Sequence, residues 1–375
     1  MTVCLSVNTL YYPNGGGHMW VYLNWALGFK LAGCKIIWLE GVDANTSVHE
    51  LESYVILLKE KLSEYGFSAN VALWCRNGAQ SEIKSLAGCM SLEDAAEQSA
   101  ILINQHYRMP GDVLQKFKKT ALLDIDPGLT QLWVSKNYFV IAPHDSYFTI
   151  GETVGQPGSM FPDIGIKWQY TPPCVALDSW PVANALHSAP YTTVSHWNMK
   201  LWEDDNGELY CNDKKSGFLP YFQLPKHVTG KLELALCLAT GEEGEKETLE
   251  NLGWIVQDSQ KLTSTPEKYK QYIQRSKGEF SCVKPSCVRL QNAWISDRTI
   301  CYLASGKPAI VEHTGESRFL PDFAGLLRFK NFEGAINCIE EAETNYHSHC
   351  KLARALAEEY FDAKKVATRL LERSL

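Results

Sequence analysis

No block of basic residues stands out in this 375-residue chain, and its 43 Asp plus Glu outnumber its 36 Lys plus Arg, for a formal charge of −7. Affinity for nucleic acid rests on clustered cations at phosphates, so nucleic acid is not an expected partner. No apolar run reaches the roughly eighteen residues that a membrane span needs. Met1 to Val7 lack both the basic stretch and the small-residue cleavage site of a secretory signal, and the expectation is a soluble, cytoplasmic protein. None of the 12 cysteines stands in C-x2-C spacing, so the usual zinc motifs are excluded and no metal is expected. Scattered reduced thiols read instead as small apolar core residues. His347-Ser-His349-Cys350 is the one dense group of ligand types, but residues two apart on a helix face different ways.

The length exceeds one ordinary core and suits two domains. Val3 to Val7 reads as a buried strand, followed by Asn8-Thr-Leu-Tyr-Tyr-Pro-Asn-Gly-Gly-Gly-His-Met-Trp20 and an apolar helix through Leu31. Strand, glycine-rich loop and helix open a nucleotide-binding fold. The dinucleotide fingerprint fails, because G-x-G-x-x-G from Gly15 needs glycine where Trp20 stands, and no Walker lysine follows. The glycines, Gly16 and Gly17 among them, let backbone approach a ligand, and they set His18 at a helix N-terminus. Further strands are expected at Lys35–Leu39, Asn70–Trp74, Ala100–Ile103, Thr120–Leu123 and Tyr138–Ala142, with helices between them. That alternation predicts a parallel sheet covered on both faces. From Pro143 to Pro173 periodicity is lost in a Gly-, Pro- and aromatic-rich stretch holding His144, Asp145 and Glu152. A loop of that length is uncommon unless it serves a site. The Pro172 to Pro181 segment reads as the crossing between domains.

In the second half, Tyr191–Trp197 reads as an opening strand and Leu232–Leu238 as an apolar element of undecided type. Trp202–Leu219, with its Asn212-Asp-Lys-Lys cluster, reads as exposed loops. Gly278–Lys284 is strand then loop. The most structured stretch is Ala293 to Arg318. Ser296 and Asp297 can cap a helix whose apolar spacing runs from Arg298 to Leu303, Gly306 ends it, and Ala309-Ile-Val311 is a strand buried on both faces. Thr314-Gly315-Glu316 then falls at the strand's carboxyl edge, where open α/β sheets bind ligands. Helices over Asn331–Glu343 and Tyr346–Tyr360 and a last one to about Leu371 close the chain.

The order S-D-R-x3-Y-L-A-S-G-K-P-A-I-V…T-G-E over residues 296–316 resembles the donor-binding half of nucleotide-sugar glycosyltransferases of the GT-B fold, specifically over about residues 277–330. The resemblance implies an α/β architecture of two Rossmann-like domains facing each other across a cleft. Residues 1–175 would hold the acceptor, 176–355 the donor, and 356–375 would form a helix packing back on the first domain. It implies transfer of a sugar from a nucleoside-diphosphate sugar to a hydroxyl of a small molecule or glycan, with the nucleotide sugar as co-substrate and no cofactor. Implied donor residues are Gly16, Gly17, Lys284, Ser296, Asp297, Arg298, Thr314, Gly315 and Glu316. His18 would be the base, steadied by Asp124 or Asp126 in Ala121-Leu-Leu-Asp-Ile-Asp-Pro-Gly128, because an imidazole near neutral pH suits deprotonation of an alcohol. His144, Asp145 and Glu152 would line the acceptor side. In one respect the chain departs: retaining members carry E-x7-E, and Ala293 and Cys301 stand at those positions. A sugar-nucleotide epimerase or hydrolase, and a non-catalytic nucleotide-sugar binder, are the alternatives. The sequence sets no oligomeric state.

Overall fold

The computed structural model describes residues 1–76, 86–199, 201–205, 207–238, 241–322 and 325–375. The chain divides into two compact units. Unit 1 comprises Met1–Gly155, Phe161–Ala176 and Asp362–Leu375, and unit 2 comprises Gln156–Met160 and Leu177–Phe361.

Unit 1 is built on strands β1 (Thr2–Val7), β2 (Lys35–Val42), β3 (Val71–Cys75), β4 (Ile101–Asn104), β5 (Thr120–Asp124), β6 (Ser146–Thr149) and β7 (Gln169–Tyr170). They pair in parallel in the order 3-2-1-4-5-6-7. Val3, Leu5 and Val7 point to one face and Cys4 and Ser6 to the other, and all five are buried, as a sheet covered on both sides requires. Helices α1 (Gly16–Leu31), α2 (Val48–Ser63), α3 (Leu92–Gln98), α4 (Gly111–Leu114) and α5 (Leu129–Ser135) connect the strands. α1 buries Trp20, Tyr22, Trp25 and Phe29, so the aromatics there are core rather than ligand platform.

Unit 2 has the parallel order β12-β11-β8-β13-β14-β15. Its strands are β8 (Tyr191–His196), β11 (Leu232–Cys237), β12 (Ile255–Asp258), β13 (Gly278–Ser281), β14 (Ala309–Glu312) and β15 (Leu326–Phe329). An antiparallel hairpin, β9 (Trp202–Asp205) with β10 (Glu208–Cys211), occupies a stretch expected to be loop. Helices α6 (Lys214–Phe218), α7 (Glu243–Asn251), α8 (Ser259–Leu262), α9 (Pro266–Arg275), α10 (Pro285–Leu290), α11 (Asp297–Ala304), α12 (Phe332–Thr344) and α13 (Tyr346–Tyr360) complete it. Its core is aromatic: Phe280 stacks on Phe329 at 5.4 Å, with Phe218, Tyr221 and Trp254 around them. Counted within the unit, the strand order is 3-2-1-4-5-6, so direction reverses between β8 and β13, as it does between β1 and β4 in unit 1. Ligands bind at the carboxyl ends beside such a reversal.

The last helix, α14 (Ala363–Ser374), belongs to unit 1 and lies against α1. A Cβ on Gly28 would sit 2.6 Å from the Ala363 carbonyl oxygen, so the glycine is what permits this approach.

One expected strand is absent. Tyr138–Ala142 has a strand's composition, yet Tyr138 and Val140 are 63% and 81% exposed, and the sixth strand is Ser146–Thr149. Among the described residues no helix is long and apolar enough to cross a membrane.

Candidate functional site

At the carboxyl edge of unit 2, the Ser296 hydroxyl accepts from the Arg298 amide at 3.1 Å and starts α11. Gly306, at φ +67°, closes the helix in the left-handed region. The segment before α11 is strained: Gln291 and Ala293 hold φ of 49° and 51°, which non-glycine residues rarely adopt outside constrained sites. What holds it is the loop after β14. The Ala293 amide donates to the Thr314 carbonyl at 2.8 Å, and the Thr314 hydroxyl donates to the Trp294 carbonyl at 2.8 Å. Gly315 sits at φ +128°, where a Cβ would come within 2.7 Å of the Gln291 carbonyl oxygen. Ser296, Asp297, Arg298, Thr314 and Gly315 therefore form one interlocked block.

Arg298 turns inward from that block. Its Nε donates to Glu279 Oε1 at 2.7 Å, Nη1 to the Val194 carbonyl at 3.0 Å and Nη2 to Ser281 Oγ at 2.6 Å. These partners stand on β8 and β13, at the reversal point. Burial works against its charge, but the Glu279 carboxylate, with Tyr269 and Tyr302 nearby, outweighs that and raises its pKa. Each of the three guanidinium nitrogens thus donates once to the sheet, a brace that pins α11 to β8 and β13.

A second cation near this block was hidden in the sequence. Lys214 opens α6, whose N-cap Asp213 accepts from the Ser216 amide at 2.8 Å. Its Nζ donates to the Cys282 carbonyl at the end of β13. Burial, and then the Arg298 charge, pull its pKa down to about 8. It lay inside the Asn212-Asp-Lys-Lys run expected to be an exposed loop. The available signal was an Asp cap followed by Gly217, whose Cβ would fall 1.9 Å from the Val283 carbonyl oxygen. A small pocket opens between Ser281, Val283, Trp294, Ser296, Arg298 and Glu312. Glu312 accepts from the Tyr221 hydroxyl at 3.1 Å and the Val283 amide at 3.0 Å, and burial raises its pKa. The Trp294 indole nitrogen is buried without a hydrogen-bond partner.

The two remaining expected donor residues of unit 2 are differently placed. Glu316 has a side chain 78% exposed and pairs with Lys330 at 3.1 Å, which holds its carboxyl below the usual range. Lys284 is the half-buried N-cap of α10 and makes no ion pair among the described residues.

In unit 1, Gly16 and Gly17 start α1, and His18 is its third residue. None of Gly15, Gly16 and Gly17 has positive φ. The His18 ring lies 4.6 Å from Tyr12 and 5.3 Å from Tyr22, and its Nε2 is 2.6 Å from the Asn8 carbonyl oxygen. A carbonyl only accepts, so the proton in that hydrogen bond sits on Nε2. The Asn8 carbonyl orients the imidazole in the way an aspartate was expected to.

Asp124 is occupied elsewhere. Its Oδ1 accepts from the Thr130 hydroxyl at 2.9 Å, the Asp126 amide at 3.1 Å and the Tyr107 hydroxyl at 3.3 Å. Its Oδ2 accepts from Thr149 at 2.9 Å and Gln131 at 3.1 Å. Fully buried, with its pKa raised by that burial, it ties the ends of β5, β6 and α5 together. Asp126 is exposed and accepts from Tyr107 at 3.3 Å.

His144 and Asp145 precede β6 instead of following a strand, so their backbone lies at that strand's amino end. Asp145 Oδ2 accepts from the Thr120 amide at 2.8 Å at the start of β5. His144 Nδ1 donates to the Ala142 carbonyl at 2.7 Å, its Nε2 accepts from Asn104 at 3.0 Å, and burial pulls its pKa down to about 4. It is a neutral structural histidine. Glu152, by contrast, is buried beyond the carboxyl end of β6. Among the described residues no group of three or more His, Cys, Asp or Glu could hold a metal.

The sequence matches no family model, and no curated relative matches it significantly. Solved structures do match over the whole chain. An α-glucosyltransferase in complex with UDP and a 13-mer DNA gives a TM-score of 0.60 at 10% identity, covering 100% of this chain and 99% of its own. HepE from Anabaena in complex with UDP-glucose gives 0.58 at 11%, covering 100% and 99%. A sucrose-phosphate synthase from Thermosynechococcus elongatus gives 0.55 at 12%, covering 100% and 98%. These likenesses establish the GT-B fold.

Proposed function

We propose that the chain is a metal-independent glycosyltransferase, binding a nucleoside-diphosphate sugar on unit 2 and a hydroxyl acceptor on unit 1. The observation that carries the reading is the half-buried Lys214 ammonium on the Cys282 carbonyl, just past β13 and close enough to feel the Arg298 charge, at the carboxyl-edge reversal point of a Rossmann-ordered sheet. Helix amides and a cation converge there on a place suited to a diphosphate. The acceptor oxygen bonds to the anomeric carbon as the bond from that carbon to the diphosphate breaks, and the electron pair leaves with the nucleoside diphosphate. Lys214 and the α11 amides stabilise the charge gained by that leaving group. The acceptor's proton passes to the His18 imidazole. A hexosyl group is the proposed cargo and the cytoplasm the proposed compartment; likeness to structures holding UDP or UDP-glucose supports a uridine nucleotide.

Thermal unfolding against a panel of nucleoside diphosphates tests the donor half: uridine diphosphate at about 100 times its Kd stabilises by roughly 2.7 kcal/mol. No shift with any nucleotide would sink the reading. His18→Ala is expected to lower the transfer rate by a factor of roughly 10² to 10⁴ with donor binding unchanged. Equal transfer by wild type and variant would favour a non-catalytic binding protein or a different base, and sugar-nucleotide conversion without acceptor would favour an epimerase.

The pH dependence follows from Lys214. As pH rises through about 8 the ammonium loses its proton, so affinity for uridine diphosphate falls, by up to about tenfold per unit. Lys214→Arg, charged throughout, is expected to bind with a flat profile up to pH 10. In the ligand-free chain the sign reverses. The unfolded lysine binds more protons between about 8 and its ordinary value near 10.5, so this group makes the fold more stable as pH rises through that window. A flat wild-type binding profile would remove Lys214 from the site.

A further inference from the structure

Unit 1 carries polar groups that neither the donor site nor the base uses. Arg76 follows β3 and crosses the end of β2, where a Cβ on Gly41 would lie 2.8 Å from its Nε. The absent side chain lets the guanidinium pass. Its Nη2 then donates to Asn8 Oδ1 at 2.8 Å, and the Tyr11 ring lies 5.8 Å from its central carbon. Asn8 also supplies the carbonyl that accepts from His18 Nε2. One asparagine thus ties this cation to the candidate base.

The surroundings lack partners. Ser6 Oγ, both amide atoms of Gln105, His106 Nδ1 and Arg76 Nε are all buried with no hydrogen-bond partner. Gln105 and Ser6 are neighbours through a 3.1 Å backbone bond, and His106 meets the Trp74 ring at 5.3 Å. Buried polar atoms are normally paired, so this many at the ends of β1, β3 and β4 point to a partner that arrives with a ligand. Burial and the Arg76 charge pull the His106 pKa down to about 4, leaving it neutral beside the guanidinium. Asp43 faces Arg76 at 3.8 Å, with side chains 46% and 22% exposed respectively. A pair that long and that wet is weak and leaves the guanidinium able to take another anion.

We propose that the acceptor carries an acid group, a carboxylate or a phosphate, which Arg76 grips so as to present a hydroxyl to His18. The proposal rests on the glycosyltransferase reading above and adds the substrate class. Gln105 and His106 supply neutral hydrogen bonds to the rest of the acceptor, and Arg76 sets its charge.

Saturation-transfer NMR on the full chain, with glucose 6-phosphate, glucuronate and glucose as separate probes, tests it. At least one charged sugar is expected to bind roughly tenfold or more tightly than glucose, and the stronger of the two identifies phosphate or carboxylate. Arg76→Gln abolishes that preference, Arg76→Lys keeps part of it, and Asp43→Asn strengthens it. Equal binding of the three sugars, binding of none, or a preference that survives Arg76→Gln overturns the proposal. Uridine diphosphate titrated into the same samples reports the donor reading separately and is unaffected by Arg76→Gln. Its failure to bind wild type would remove that reading without touching the sugar result.

Discussion

Replacing Arg298 by methionine is expected to cost unit 2 about 3–5 kcal/mol and to lower its unfolding midpoint by roughly 10 °C. Glu279 is fully buried, and its Oε2 already lacks a partner. Without the guanidinium, its carboxylate would be an uncompensated charge in the core, and Val194 and Ser281 would each lose a donor. The expense lies mostly in what is left behind, so Arg298→Met combined with Glu279→Gln should recover much of the loss. That double variant also separates two roles for the arginine. If Arg298 is a brace, restored stability brings uridine diphosphate binding back with it. Restored stability with binding still lost 100-fold or more would return Arg298 to direct contact with the donor, and an unchanged midpoint for the single variant would refute the brace.

The same residue shows how far the sequence could be read. Ser296, the apolar spacing after it and Gly306 are local signals, each acting within a turn of helix, and they place α11 and β14 to within a residue or two. What Arg298 touches is not local: Glu279 lies 19 residues away and Val194 lies 104 away. A side chain's type does not say whether its charge faces a ligand or a buried acid. Lys214 was missed for the converse reason. A run of polar residues reads as solvent-exposed, and only the packing of Gly217 on Val283 takes it inside. The sixth strand was misplaced because burial is conferred by sheet neighbours. Ser146-Tyr-Phe-Thr149 pairs with β5 and is covered, whereas the more apolar Tyr138–Ala142 is left outside. With that shift, His144 and Asp145 moved from the end of one strand to the start of another. The two-domain α/β class depended on none of these details, because alternation over a dozen elements survives the misplacement of one.

Gly217→Ala is expected to be the most damaging small substitution for donor binding. The added methyl would fall 1.9 Å from the Val283 carbonyl oxygen and 3.0 Å from its carbon, well inside contact distance. The carbonyl has little freedom to yield, because the Val283 amide is held by Glu312 and the neighbouring Cys282 carbonyl by Lys214. The five-residue α6 must therefore move, and Lys214, its first residue, moves with it. Loss of a charged hydrogen-bonding group at a diphosphate corresponds to about 1.5–3 kcal/mol, so the Kd for uridine diphosphate should rise by roughly ten- to a hundredfold. Gly244→Ala provides the control: that glycine lies in α7 with no atom within 4 Å of an added Cβ, and the change should leave binding alone. Lys214→Met in the Gly217→Ala background completes the argument. If the glycine acts by placing the lysine, the double variant binds no more weakly than Gly217→Ala alone, whereas additive losses would mean that the glycine and the lysine contribute through separate contacts.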